Sequence, residues 1–239
     1  MTWPTKTDFV DGDVLTAAQV NNIGTNLNIF DPTSATSGQV PIADGAGSAA
    51  WGSVPSGLAV MTPSAVSVTG GSATINANGS VSFTSVTTRL NLDGVFTSAY
   101  ANYLIAWYCQ IGTTAGGQAF RFRASGAESS SGYTYQALTV DSTTVAGQRV
   151  TGATIAPFGF GGTTAATSRN CGTITLFGPQ QAEQTTGRSS TQSGYNTFTF
   201  AEYAWNHSPD TSYDGFAWLV NGLGGGDITG LITVYGLAN

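Results

Sequence analysis

The run Tyr103-Leu-Ile-Ala-Trp-Tyr-Cys-Gln-Ile111, "YLIAWYCQI", carries the fold class of this chain. Tyr103, Ile105, Trp107, Cys109 and Ile111 alternate with Leu104, Ala106, Tyr108 and Gln110. A period of two with apolar residues in both sets describes a strand that is apolar on both faces, which predicts a central place in a sheet. The apolar run is also far short of the roughly 20 residues that a membrane helix needs, so no membrane insertion is expected.

The pattern repeats to either side. Phe120 and Phe122 alternate with Arg121 and Arg123, a half-buried strand with a charged outer face. Short runs of the same kind occur at 81–86, 133–140, 173–177, 197–203, 214–220 and 228–236, separated by Gly-rich or Ser-rich turns. That spacing predicts a mainly β protein whose residues 61–239 form a β-sandwich of jelly-roll type.

Composition agrees. Only 8% of the 239 residues are charged, against about a quarter in an average domain, while 32 glycines and 11% aromatics supply turn and strand chemistry. With 41% hydrophobic residues the chain carries enough apolar surface to fold. The net charge is −6 and Lys6 is the single lysine, so the sequence holds no basic stripe for phosphates and predicts no nucleic-acid partner and no anionic membrane surface. Cys109 and Cys171 make no disulfide framework. Both sit in strand-like runs, and the expectation is two buried free thiols, with a bridge between them as the alternative.

The head of the chain differs. In "DGDVLTAAQVNNI", Thr16 and Gln19 form a capping box, and Leu15 with Val20 forms a hydrophobic staple. Val20, Ile23, Gly24 and Leu27 then share one face, and Asp31-Pro32 ends the helix. Four asparagines and a glycine make it too weak to stand alone, so its narrow stripe, Val20, Ile23 and Leu27, is expected to dock or oligomerise. Residues 32–60 read as a Gly/Ser/Pro-rich linker, with Asp44-Gly45 a good turn dipeptide. The opening "MTWPTKTDFVDGD" has no apolar core and is acidic where a signal peptide is basic, so secretion by the usual route is not expected.

Several segments resemble a known family. "FVDGDVLTAAQVNNIGTNLN" is similar to the N-terminal segment of many bacteriophage tail-fibre and minor tail proteins, and "SGQVPIADGAGSAAWG" to the linker that often follows. "LDGVFTSAYANYLIAW", "FRFRASG" and "SYDGFAWLV" with "GDITGLITVYGL" resemble strands of a distal domain in minor tail proteins, especially of phages infecting actinobacteria. Together they cover about half of the chain, in order; residues 138–195 resemble nothing comparable. The resemblance implies a virion component, commonly a homotrimer. Residues 1–31 would attach to other virion proteins, and the β domain would point outward. Such a protein assembles in the host cytoplasm and is released by lysis.

Chemistry-bearing residues are sparse. Asp8, Asp11 and Asp13 lack the spacing of a calcium loop and read as a turn ahead of a helix N-terminus. His207, Ser208 and Asp210 hold the residue types of a hydrolase triad, but as sequence neighbours in a Pro-containing turn they read as a surface loop. A glycosidase would need two facing carboxylates. Among Asp93, Glu128, Asp141, Glu183, Glu202, Asp210, Asp214 and Asp227, only Glu202, between Phe200 and Tyr203, has an unusual setting. No Cys/His metal set is present, so no metal is expected; with neither a triad nor a clear carboxylate pair, no enzyme and no cofactor is expected either.

Trp107, Phe120, Phe122, Phe198, Phe200, Phe216 and Trp218 alternate within strands and are expected in the core. Tyr133, Tyr135, Trp205 and Tyr213 lie beside turns with Ser, Asn and Asp, where a sugar could stack, and are the expected glycan contacts. The reading is a non-enzymatic phage tail protein that binds host cell-surface glycan. A head-fibre or decoration protein without a receptor is the rival, and a glycan depolymerase the third class.

Overall fold

The computed structural model describes residues 39–43, 49–53, 57–112, 117–159, 169–193, 199–220 and 226–237. The expected helix, with Val20, Ile23 and Leu27, lies outside the described residues, as do Asp44-Gly45 and Phe198. The chain divides into two compact units, Met1–Ser56 and Gly57–Asn239. In the first, Gln39–Ala43 (β1) and Ala49–Ser53 (β2) pair antiparallel within the stretch read as linker. Five residues each, one strand with a proline and the other with a glycine, are too short and mixed to show a period in the sequence.

The second unit is all β among its described residues and holds two antiparallel sheets. The large one has ten strands. Its spatial order is Thr144–Ala153 (β12), Tyr133–Asp141 (β11), Thr199–His207 (β16), Thr185–Ser193 (β15), Arg169–Phe177 (β14), Asn102–Ile111 (β8), Ile228–Leu237 (β18), Val81–Val86 (β6) and Ser72–Ile75 (β5), with Leu58–Val60 (β3) also on β18. The small one runs Ala127–Glu128 (β10), Gln118–Ala124 (β9), Gly215–Leu219 (β17), Arg89–Asp93 (β7) and Ala65–Thr69 (β4), with Ala156–Gly159 (β13) along β9. The strand that is apolar on both faces, β8, is central as expected, flanked by β14 and β18.

Turn chemistry sets the hairpins. Ser125 and Gly126 join β9 to β10 with φ of 51° and 81°, the left-handed pair that a two-residue hairpin loop requires. Ser142 enters the β11–β12 turn at φ 54°. The chain also passes repeatedly from sheet to sheet: β6 lies in the large sheet, β7 in the small, β8 in the large and β9 in the small.

The two sheets face each other as a β-sandwich, closed by aromatic rings. On the large sheet Tyr103, Ile105, Trp107, Cys109 and Ile111 are all buried, and on the small sheet so are Phe120, Phe122, Phe216 and Trp218. Trp218 meets Phe83, Trp107 and Phe158 edge-on at 5.3, 5.2 and 5.1 Å between centroids. Its indole N–H donates to the Gln118 side-chain carbonyl, so burial leaves that donor satisfied. Further along, Trp205 packs edge-on against Phe120 at 4.7 Å and Phe122 at 5.7 Å. One expected core ring departs: Phe200 is only half-buried, because its parity on β16 is opposite to that of buried Ala201 and Tyr203. Both cysteines are free. Cys109 is buried, but Cys171 is half-exposed, because its strand partner is Tyr108, on the opposite face of β8 from Cys109.

Gly187 faces Trp205 across β15 and β16, where an added Cβ would lie 2.2 Å from the indole. The indole is held by Phe120 and Phe122 and has no room to yield. Gly187→Ala is therefore expected to destabilise by about 1–3 kcal/mol, read as a lower denaturant midpoint. Gly147→Ala on exposed β12, where the nearest atom is 3.9 Å away, should leave the midpoint unchanged.

Candidate functional site

The aromatic layer settles which side of every strand points inward, and the remaining side of the large sheet can be traced by register. On β8 the outward residues are Leu104, Ala106 and Tyr108. Tyr108 lies opposite Cys171 and Leu231, Ala106 opposite Thr173 and Thr233, and Leu104 opposite Thr175 and Tyr235. Following the partners across β15, β16, β11 and β12 adds Arg188, Ser190, Gln192, Phe200, Glu202, Gln136, Leu138, Val140, Val145 and Arg149 to the same face.

That face is unusually apolar for a surface. Among the described residues seven large hydrophobic side chains are exposed, and six of them, Leu58, Val60, Tyr108, Leu138, Val145 and Phe177, lie on it by register. Clustering on one face, rather than single scattered side chains, is the mark of an interaction surface. Two depressions adjoin there. One, of about 590 Å3, is bordered by Ala106, Tyr108, Thr173, Gln192, Phe200 and Tyr235. The other, of about 570 Å3, is bordered by Gln136, Leu138, Arg149, Arg188, Glu202 and Ala204. They meet along β15 and β16, where Ser190 of the first sits two residues from Arg188 of the second.

Local contacts order both floors. The Arg169 guanidinium lies 5.0 Å from the Tyr108 ring centroid, a cation–π approach. The Gln192 amide donates to Cys171 Sγ at 3.2 Å. In the second depression Arg188 Nε donates to Glu202 Oε2 at 2.8 Å. The carboxylate with the unusual setting in the sequence is thus an ion-pair partner on an open sheet face. Asp93 and Glu128 lie instead on the outer side of the small sheet, paired with Arg123 and Arg121. Among the described residues no group of His, Cys, Asp and Glu is placed to hold a metal ion.

The expected glycan contacts lie elsewhere. Tyr133, Trp205 and Tyr213 are core residues, 0%, 4% and 2% exposed. Closeness to turns suggested surface, but strand parity turns Tyr133 and Trp205 toward the small sheet, and Tyr213 stacks on Phe122 at 4.8 Å. The Tyr133 hydroxyl accepts from Phe122 N–H and donates to the Ser129 carbonyl. Burial pushes its pKa upward, so it stays a neutral donor. Tyr135, half-buried, pairs with Trp205 and so shares the inward side. What the sequence did offer was the second apolar set of β8, whose Tyr108 is exposed.

His207 is no surface residue either. It ends β16, is fully buried, and its ring lies 4.2 Å from that of Tyr133. Nε2 hydrogen-bonds Ser129 Oγ at 3.0 Å and Nδ1 the Tyr213 hydroxyl at 3.2 Å. Ser208 turns away and donates to the Gly132 carbonyl, so the neighbouring residues of "WNHSPD" do not assemble a triad.

No protein-family model matches the chain, and no curated protein matches it. Among solved structures it is similar to peanut lectin with a 9mer peptide, at 10% identity and a TM-score of 0.30, covering 73% of this chain and 93% of that one. It is also similar to a protein of unknown function from Shewanella oneidensis MR-1, at 7% identity and a TM-score of 0.22, covering 96% and 98%. Likenesses at this level carry no argument about fold or ligand.

Burial lowers the His207 pKa to about 4 from 6.5. Between those values the unfolded chain binds a proton that the folded protein refuses, so stability falls as pH drops from about 6.5 to 4. The total is about 3 kcal/mol for this shift. Urea unfolding at steps from pH 7 to pH 4 should show that slope, and His207→Gln should flatten it.

Proposed function

We propose that this chain is a structural protein of a bacteriophage virion, a tail fibre or minor tail protein, whose jelly-roll-type sandwich binds glycan on the host cell surface. Residues 1–31 join it to other virion proteins through Val20, Ile23 and Leu27, and the working form is a homotrimer. The resemblance of the N-terminal, linker and strand segments supports the virion setting. Repeated crossing of the chain between two antiparallel sheets supports the jelly-roll type.

The observation that carries the binding reading is the outward face of the large sheet. Tyr108 and Tyr235 present ring surface among Thr173, Ser190, Gln192 and Thr233 at the first depression. A sugar offers an apolar face to such rings and hydroxyls to such neutral hydrogen-bonding groups. The face is shallow, so single sites bind weakly, and several copies on one particle raise the effective affinity. The same apolar surface also favours a second reading, in which sibling copies pack on it and the protein is structural only.

Labelled beads carrying many copies of the protein should decorate actinobacterial host cells. Tyr108→Ala with Tyr235→Ala should cut decoration about tenfold or more without lowering the melting temperature by more than a few degrees. Beads that leave every susceptible host bare, while the protein is folded, would remove the receptor reading in favour of the structural one.

A further inference from the structure

The face proposed to bind glycan is charged in the opposite sense to the protein. The chain has a net charge of −6, yet the strand residues that point to this face include three arginines, Arg149, Arg169 and Arg188, and a single carboxylate, Glu202. Arg149 is exposed, and its guanidinium makes no hydrogen bond or ion pair among the described residues. The Arg188 side chain is 70% exposed, and only its Nε is engaged, by Glu202. Excess acid elsewhere is largely screened at this face, because the Debye length is about 8 Å at physiological salt.

Register also gives the spacing. Tyr235, Leu104, Thr175, Arg188, Ala204, Gln136 and Arg149 are successive partners and form one row across seven strands. At about 4.8 Å per strand the row is about 29 Å long, with the tyrosine at one end, Arg188 near the middle and Arg149 at the other end. We infer that the glycan is an acidic one, laid across the strands along this row, with Arg188 and Arg149 holding carboxylate or phosphate groups about 14 Å apart. A guanidinium suits either group, since both accept two parallel N–H bonds. The inference rests on the glycan-binding reading and narrows its ligand.

The test compares retention of the full-length protein on three immobilised polymers: polygalacturonate, poly(glycerol phosphate) and neutral dextran. The expected result is binding to an acidic polymer in preference to dextran. That binding should weaken severalfold between about 50 mM and about 500 mM salt and about tenfold in Arg149→Gln with Arg188→Gln. Both side chains are exposed, so the variant keeps the parent melting temperature. Which acidic polymer binds tells carboxylate from phosphate. Salt-independent binding to dextran as strong as to the acidic polymers would overturn the inference and leave the glycan reading standing. Retention on none of them, together with host-cell decoration that the Tyr108 and Tyr235 variants do not weaken, would remove both. A change of mass in light scattering on mutating the two arginines would show a contact between copies, and the inference would fall.

Discussion

The interlocked aromatic layer between the sheets is the constraint from which the rest of this domain follows. Trp218 meets three rings edge-on, at 5.1–5.3 Å, and Trp205 meets two more. Rings locked in that way tolerate no slip of register. Shifting β8 by one residue would put Leu104, Ala106 and Tyr108 into the layer and expel Trp107 and Ile105. The outward face is therefore fixed by the core, since its residues are those that the layer leaves out.

The arginines divide between the two outer faces with different consequences. On the small sheet Arg123 grips Asp93 with Nε at 2.7 Å and a terminal nitrogen at 3.2 Å. Glu128 receives Arg121 at 3.1 Å and lies 3.2 Å from Arg89 Nε. These charges are spent on one another, and the cluster reads as a structural clasp over β7, β9 and β10. On the large sheet one carboxylate stands among three guanidiniums, and charge is left to act on something else.

The large sheet is also uneven along its width. Its centre, β8, β14 and β18, is covered by the aromatic layer and buries residues such as Ile105, Ile174 and Val234. Its margin is the β11–β12 hairpin, where nearly every β12 residue is exposed on both sides. A strand with so little apolar burial opens at lower free energy than the centre. The row thus runs from a well-buried floor at Tyr235 to a more yielding one at Arg149.

The mainly β class, the central place of β8 and the charged outer side of β9 were legible in the sequence, because period-two alternation is a local property of the chain; polar strands such as β12 and β15 were not, because they carry no apolar alternation. So was the inward placing of Trp107, Phe120, Phe122, Phe216 and Trp218. The site was not legible, for two physical reasons. Tyr133, Trp205 and Tyr213 stand beside polar turn residues, and which side of a strand meets the second sheet depends on pairing partners far away in sequence. Likewise Arg149, Arg169 and Arg188 are separated by about twenty residues each and suggest no patch when read along the chain. Only the order β12-β11-β16-β15-β14-β8 brings them to one face. Alternation along a strand belongs to the sequence; the neighbours of that strand, and so the charge and shape of the surface they build, belong to the tertiary structure.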